Sequence, residues 1–395
     1  METPRDPVEK RGPLWHQPLP QTPLATVSGA PDEAPGPVSY GDYFNAVHRF
    51  LVRDDHRVLK TAVEQIIGEN SGFDRPKHIA IFLVKHGEWY HPSRIELELE
   101  DRRLDFVLNV ALSETGRRRL ADEVHCLTRL GGHPAAEYLP AVYGHGEVAT
   151  ASGAILPMWL GQWFGGFHEF HWTDCGTGCT PGLCIWDPRT GKRLLDSNQV
   201  GPVYRQAAAI LTDFFDLTTF EHIHPWHHAA GDFVVRQQRD RLDVRLITVR
   251  GYPALIDPGP RNAVPGPDAG LTLQVVLLFL LKLSLRMRLD RLDGVGDPVW
   301  ADAAVVRHTV GGFRAALARK RSPSHLPDTP INCFDAFMDG CTESDLQQLL
   351  KAVIAAYPDR HPEKSLLLRE FQAHAVILYR EMAERLGRLN TPALR

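Results

Sequence analysis

Ile223-His-Pro-Trp-His-His-Ala-Ala-Gly-Asp-Phe-Val-Val235 is the stretch around which the rest of this chain can be ordered. It sets imidazoles, a small-residue turn and one carboxylate directly against a β-branched run that reads as a strand. Groups able to bind metal or move protons, held on a loop at the mouth of a strand, are the raw material of an active site. Taken alone, His222, His224, His227, His228 and Asp232 are all metal-ligand types, so one reading is a metal-dependent enzyme built on the histidine-rich loop. The spacing His-x-His-x-x-His-His has little diagnostic value, however, and the loop leads into a strand instead of lying on a helix. The plainer alternative has these imidazoles bonding to backbone or water.

Composition narrows the field. A chain of 395 residues with 43% hydrophobic content can bury a large core, and its length favours two or three lobes. A formal net charge of −4 gives no whole-protein pull toward nucleic acid or anionic membranes. Arg117-Arg118-Arg119 reads as a solvated helix start, not a phosphate patch. The N-terminus carries no basic-then-apolar leader pattern. The most apolar run, Leu271 to Leu285, is interrupted by Gln274 and Lys282 and is too short to span a bilayer. Six cysteines spread over this length do not make a disulfide scaffold. The expectation is a cytoplasmic protein whose partner is a nucleotide, another small molecule or a protein, with no nucleic acid and no membrane.

Outward from the loop, the hydrophobic period changes in a definite order. Residues 1–38 are Pro/Gly-rich and expected to be disordered. Residues 39–77 form a helical extension, with Tyr43, Phe44, Val47, Phe50 and Leu51 at helical spacing and a second helix from Val58 to Ile67. Between 78 and 162 come strands at His78–Val84, Ile95–Leu99 and Leu104–Leu112. A helix follows from Arg117 to Leu130, then strands at Ala141–Val148 and Ala154–Leu160. Residues 163–196 read as an irregular insert containing cysteine and histidine, ending in a hairpin that turns at Asp187-Pro-Arg-Thr-Gly191. From 197 to 395 the signals are mostly helical: Val203–Phe215, Leu271–Leu292, Val299–Ala318, Leu346–Ala356 and Ser365–Leu386. The loop 222–232 and the strands Phe233–Val235 and Val244–Val249 lie within that span. Five strands with one inserted helix, followed by a helical region, make an α+β arrangement.

That order resembles the protein-kinase-like and aminoglycoside-phosphotransferase-like superfamily over roughly residues 78–300. Phe106-Val-Leu-Asn-Val-Ala111 looks like its third strand, and Glu123 sits at the helix position whose carboxylate pairs with the phosphate-gripping Lys of that strand. Met158-Trp-Leu-Gly-Gln-Trp163 looks like the hinge. His227-His-Ala-Ala-Gly-Asp232 looks like the catalytic loop, and Leu246-Ile-Thr-Val-Arg-Gly251 looks like the metal-binding turn after it. The resemblance implies a two-lobed kinase-like fold, with a small antiparallel-sheet N-lobe carrying one helix and a larger helical C-lobe. It also implies a cleft for ATP with Mg²⁺ or Mn²⁺.

The chemistry at the matched positions is rewritten. Phosphoryl transfer needs positioning, charge neutralisation by a cation, and a group that orients the nucleophile. The gripping Lys is replaced by Asn109, and the catalytic Asp by His227, beside His228. The loop's metal-binding Asn becomes Asp232, an acceptable Mg²⁺ ligand, while the metal-binding Asp of the next turn becomes Thr248, a poor one. The glycine-rich phosphate loop is reduced to Gly87. Lys85 could supply the missing positive charge, although a solvated loop lysine is the simpler reading.

The leading expectation is therefore a pseudokinase or noncanonical phosphotransferase that binds a nucleotide-like ligand in the interlobe cleft, with His227 and Asp232 as its remaining chemistry. A third alternative is a non-catalytic scaffold in which His168, His171, Cys175, Cys179 and Cys184 hold structural zinc. It lacks the paired Cys-x-x-Cys knuckles that would make it specific. Trp226 reads as packing. Arg286, Arg288 and Arg291 read as a salt-bridged helix end, paired with Asp290 and Asp293, rather than a phosphate site.

Overall fold

The computed structural model describes residues 13–20, 38–68, 73–87, 89–174, 181–226, 228–239, 241–257 and 268–387. Two compact units divide at Gly165 and Gly166.

The first unit opens with a 3₁₀ turn at Pro13–His16 and a buried Leu19, inside the stretch expected to be disordered, of which 1–12 and 21–37 lie outside the described residues. Helix α1 (Tyr40–Ile67) follows, nucleated by a reciprocal cap in which Asp42 N donates to Ser39 Oγ and Ser39 N to the Asp42 carboxylate. Non-helical backbone at Arg53–His56 breaks it into two arms, which are the two helices expected from the apolar spacing. Tyr43, Val47, Phe50 and Leu51 of the first arm and Leu59 and Val63 of the second are fully buried. They pack with an antiparallel sheet of β1 (His78–Leu83), β2 (His91–Glu98), β3 (Arg103–Val110), β4 (Val142–Ala149) and β5 (Ile155–Gln162), in the order β1-β2-β3-β5-β4. Along β2 every second residue is buried: His91, Ser93, Ile95 and Leu97. That is the period of a strand with one face on a core. Each large apolar side chain so buried contributes about 1.5–3 kcal/mol.

Helix α2 (Glu114–Leu130) is inserted between β3 and β4, and Ser113 Oγ accepts from Gly116 N at its start. The expected apolar face, Leu120, Val124, Leu127 and Leu130, is the buried one.

The second unit also contains a five-stranded antiparallel sheet. Its strands are β6 (His168–Thr173), β7 (Gly182–Asp187), β8 (Gly191–Leu194), β9 (Phe233–Gln238) and β10 (Arg241–Leu246), ordered β10-β9-β6-β7-β8. The expected hairpin is present as β7–β8, with Arg189 N and Thr190 Oγ1 both donating to the Asp187 carboxylate in its turn. The rest of the stretch read as irregular supplies β6, the central strand. Its sequence, His-Glu-Phe-His-Trp-Thr, hides the strand because polar residues occupy buried positions.

Around this sheet lie α3 (Ser197–Asp213), the one-turn α4 (Ala229–Asp232), α5 (Ala269–Met287), α6 (Ala304–Arg319), α7 (Pro330–Met338), α8 (Glu343–Ala355) and α9 (Lys364–Arg385). The α+β class expected from the element order is the class observed.

Helix α5 is longer than its apolar run suggested. By length and composition it could cross a membrane, yet most of it is buried inside the protein. Val275, Val276, Leu280, Leu281 and Leu285 are all core residues. The helix expected to run to Leu292 stops at Met287, and β11 (Leu289–Arg291) then pairs with β12 (Pro298–Trp300). This ending corrects the salt-bridged reading of the arginines, since the i,i+4 geometry that would align them with the acids is lost. Arg286 Nη1 donates to the Trp226 carbonyl, Arg288 Nε to that of Ala301 at 2.8 Å and Arg291 Nη1 to that of Gly296 at 3.2 Å. Asp290 faces His171 instead, and Asp293 takes Lys192 at 2.6 Å.

Candidate functional site

The histidine-rich loop is held along the segment that follows β10. His222 N donates to Pro253 O and His224 N to Gly251 O, both at 3.0 Å, and Ile247 N donates to Asp232 O at 3.0 Å. The two stretches matched to a catalytic loop and a metal-binding turn therefore lie side by side, bringing Asp232 to the segment that contains Thr248.

The charge in this arrangement comes from neither partner expected. Asp232 is 2% exposed, and its Oδ1 accepts from Arg250 Nη2 at 2.7 Å. Arg250 sits two residues after half-buried Thr248, so an internal guanidinium stands where the resemblance implied a divalent cation. A buried carboxylate of this kind stays charged only with such a partner.

Gly231, immediately before Asp232, has φ of +87°. A Cβ there would lie 3.4 Å from Cε1 of His171, so the glycine permits both the turn and the approach of β6. His171 is buried between two carboxylates, with Nδ1 3.7 Å from Asp290 and Nε2 3.9 Å from Glu169. Burial alone would push its pKa down. The two flanking acids outweigh burial and raise it to about 9. The imidazole is thus a cation at neutral pH, with both nitrogens committed to protons. Asp290, 2% exposed, also accepts from Trp172 N at 2.9 Å, which ties β6 to β11.

The other histidines have local duties. Burial, reinforced by the charge of Lys282, pulls His222 down to about 4, and its Nδ1 bonds to the Pro253 carbonyl at 3.1 Å. The ring stacks on His224 with centroids 5.3 Å apart. His228 Nε2 lies 2.6 Å from Glu363 Oε1. Burial favours protonation of Glu363, but the contact with His228 and nearby cations hold its pKa below the ordinary range. His227 lies outside the described residues. Among the described residues, no group of three or more His, Cys, Asp or Glu is placed to hold a metal ion.

For the zinc alternative, Cys175 and Cys179 also lie outside the described residues. Cys184 is buried on β7 directly opposite His171. His168 is 3.9 Å from Asp187.

In the first unit, Asn109 lies on β3, paired with Pro92 on one side and Trp159 on the other, and Glu123 is 1% exposed on α2. Lys85 is half-buried in the β1–β2 connection. Gly87 serves that turn: its N–H bonds to Tyr90 O at 3.0 Å, and a Cβ would lie 2.5 Å from the same carbonyl. The turn is pinned by imidazoles where the resemblance implied glycines. His86 Nδ1 is 3.0 Å from His91 Nδ1, and Tyr40 OH is 3.1 Å from His86 Nε2. Burial, with His86 adding to it, lowers His91 to about 4, so that ring is neutral.

Arg250 and Asp290 escaped the sequence reading as site residues. Arg250 lies inside the stretch Leu246–Gly251, in which the resemblance marks only position 248 for an acid. Asp290 was assigned to neighbouring arginines, and no local signal pairs it with a histidine 119 positions away.

No family model matches this chain, and no curated protein matches it. Among solved structures, "WaaP in complex with acyl carrier protein" is similar at 9% identity, over 76% of this chain and 90% of that one, with a TM-score of 0.31. A likeness that weak is no basis for fold or function.

Proposed function

We propose that this chain is a kinase-like protein that does not carry out metal-dependent phosphoryl transfer, and that it binds a nucleotide-like ligand in its place. Two features support the kinase-like part: the strand-strand-strand-helix-strand-strand order of the first unit, and the pairing of the Asp232 loop with the 246–251 segment. The observation that carries the loss of metal-dependent transfer is the Arg250–Asp232 contact at 2.7 Å. Phosphoryl transfer requires a cation free to bridge phosphate oxygens. A guanidinium already bonded to the Asp232 carboxylate neutralises it and competes with Mg²⁺ or Mn²⁺ for its oxygens, and Thr248 adds no charge. These residues do not fit a divalent metal. Asn109, uncharged where a phosphate-gripping lysine would stand, points the same way.

Thermal unfolding with ATP, alone and with Mg²⁺ or Mn²⁺, tests this reading, because a ligand bound only by the folded state raises the melting temperature. The expected outcome is an ATP-dependent rise that metal does not enlarge. A metal-dependent rise abolished by Asp232→Asn would overturn the metal-free assignment. No rise with millimolar ATP would remove the nucleotide part. Turnover of ATP that depends on His227 would convert the reading to a noncanonical phosphotransferase.

A further inference from the structure

On the other flank of the same loop lies a small cavity lined by His222, His224, Trp226, Phe279, Lys282 and Arg286, with two leucines completing its wall. Lys282 and Arg286 project from α5 one helical turn apart, and like charges at that spacing repel. No Asp or Glu lines the cavity. Lys282 is half-buried and has no hydrogen-bond or ion-pair partner among the described residues. Burial, with the charge of Arg286 adding to it, lowers its pKa.

Arg286 is fixed. It donates to the Trp226 carbonyl, and its guanidinium centre stands 5.9 Å from the Trp226 ring and 5.9 Å from the Tyr357 ring. Glu363 is within electrostatic reach of Arg286 but is itself engaged by His228. Two half-buried cations beside the neutral His222 imidazole, with no carboxylate lining the cavity, form an incomplete electrostatic set.

We propose that this cavity is an oxyanion site that takes a phosphate group, with Lys282 and Arg286 as its cationic ligands and Trp226 as its wall. The enclosed space is only about 10 Å³, room for about one water and far below the range of about 300–1,000 Å³ usual for whole small-molecule ligands. The two cations therefore meet their ligand at the mouth of the cavity, where a single phosphate group, either free or as the end of a phosphomonoester, keeps its remainder in solvent. Lysine serves as a point charge for such a group, and arginine supplies the directed donors. The site stands independently of the kinase-like reading, since neither Asp232 nor Arg250 lines it.

The test is thermal unfolding and calorimetric titration with inorganic phosphate, with glycerol 3-phosphate and with acetate, at ionic strength matched by chloride. Wild type is expected to rise by about 2–4 °C at saturating phosphate, and acetate to do less. Lys282→Met is expected to melt higher than wild type without ligand, because an unpaired charge is gone, and to lose the phosphate response. Lys282→Gln, closer to lysine in polarity, is expected to lose the response as well. An equal phosphate response in wild type and both variants would overturn the site, as would no response in wild type at tens of millimolar. Acetate matching phosphate would overturn its assignment to phosphate. A stronger response to glycerol 3-phosphate than to phosphate would identify the ester as the source. Asp232→Asn is expected to keep the phosphate response, so failure of this site and failure of the ATP reading are separable.

Discussion

Asp232–Arg250 and Lys282–Arg286 lie on two flanks of one loop and treat charge in opposite ways. The first is a 2.7 Å ion pair in which each charge answers the other. The second is two cations without an acid. The set His171, Asp290 and Glu169 belongs with the first kind, a buried imidazolium between a buried and a half-buried carboxylate. Charge that is internally balanced holds elements of the fold together, here α4 to the segment after β10 and β6 to β11. Charge left unbalanced at a cavity costs stability and is open to a ligand. The loop that drew attention for its histidines therefore has a structural flank and a receptive one.

The largest effect should come from breaking the balanced pair. Asp232→Ala removes the carboxylate partner of the half-buried Arg250 guanidinium, and should cost about 3–5 kcal/mol in chemical denaturation. Adding Arg250→Met should recover most of that loss. If the double variant is no more stable than the single one, the pair is not the balanced unit described here.

Next is the pH dependence of His171. Its pKa rises from 6.5 to about 9 in the folded protein, so its contribution is complete below the unfolded value and is lost as pH rises through about 9. Linkage sets an upper bound of about 3 kcal/mol on that contribution. Denaturation midpoints from neutral pH to about pH 10 should fall for wild type and stay flatter for His171→Gln. Parallel curves would remove the buried imidazolium.

Gly231→Ala should cost about 1–2 kcal/mol, because a side chain must adopt a positive φ while meeting the His171 ring. A neutral result would show that the loop relaxes freely there. The smallest change separates the two flanks by sign: Lys282→Met should stabilise the ligand-free protein by about 0.5–1 kcal/mol. A loss of stability would mean that Lys282 is answered after all.

Much of the first unit was legible in sequence. Alternation in β2 and the apolar face Leu120, Val124, Leu127 and Leu130 are local signals, because strand and helix periods are set by the backbone itself. The β7–β8 hairpin was legible for the same reason, its turn residues being contiguous. The central strand β6 was not. His171 and Trp172 are buried through partners on β11, so their polarity concealed a strand. The helix end at Met287 was hidden too, since the apolar and basic pattern ran smoothly past it.

The candidate site divides along the same line. Sequence alone determined that residues 222–235 join polar groups to a strand, that the matched positions lack a lysine at 109 and an acid at 248, and that Asp232 remains. Tertiary structure decided what those residues meet. Arg250 reaches Asp232 through an antiparallel pairing of segments, and Asp290 reaches His171 across 119 positions. Lys282 stands beside His222 because α5 packs against the loop. Periodicity reports the surroundings of each residue along its own element. Which charge neutralises which depends on Coulomb energy at a few ångströms, and only the folded chain sets those distances.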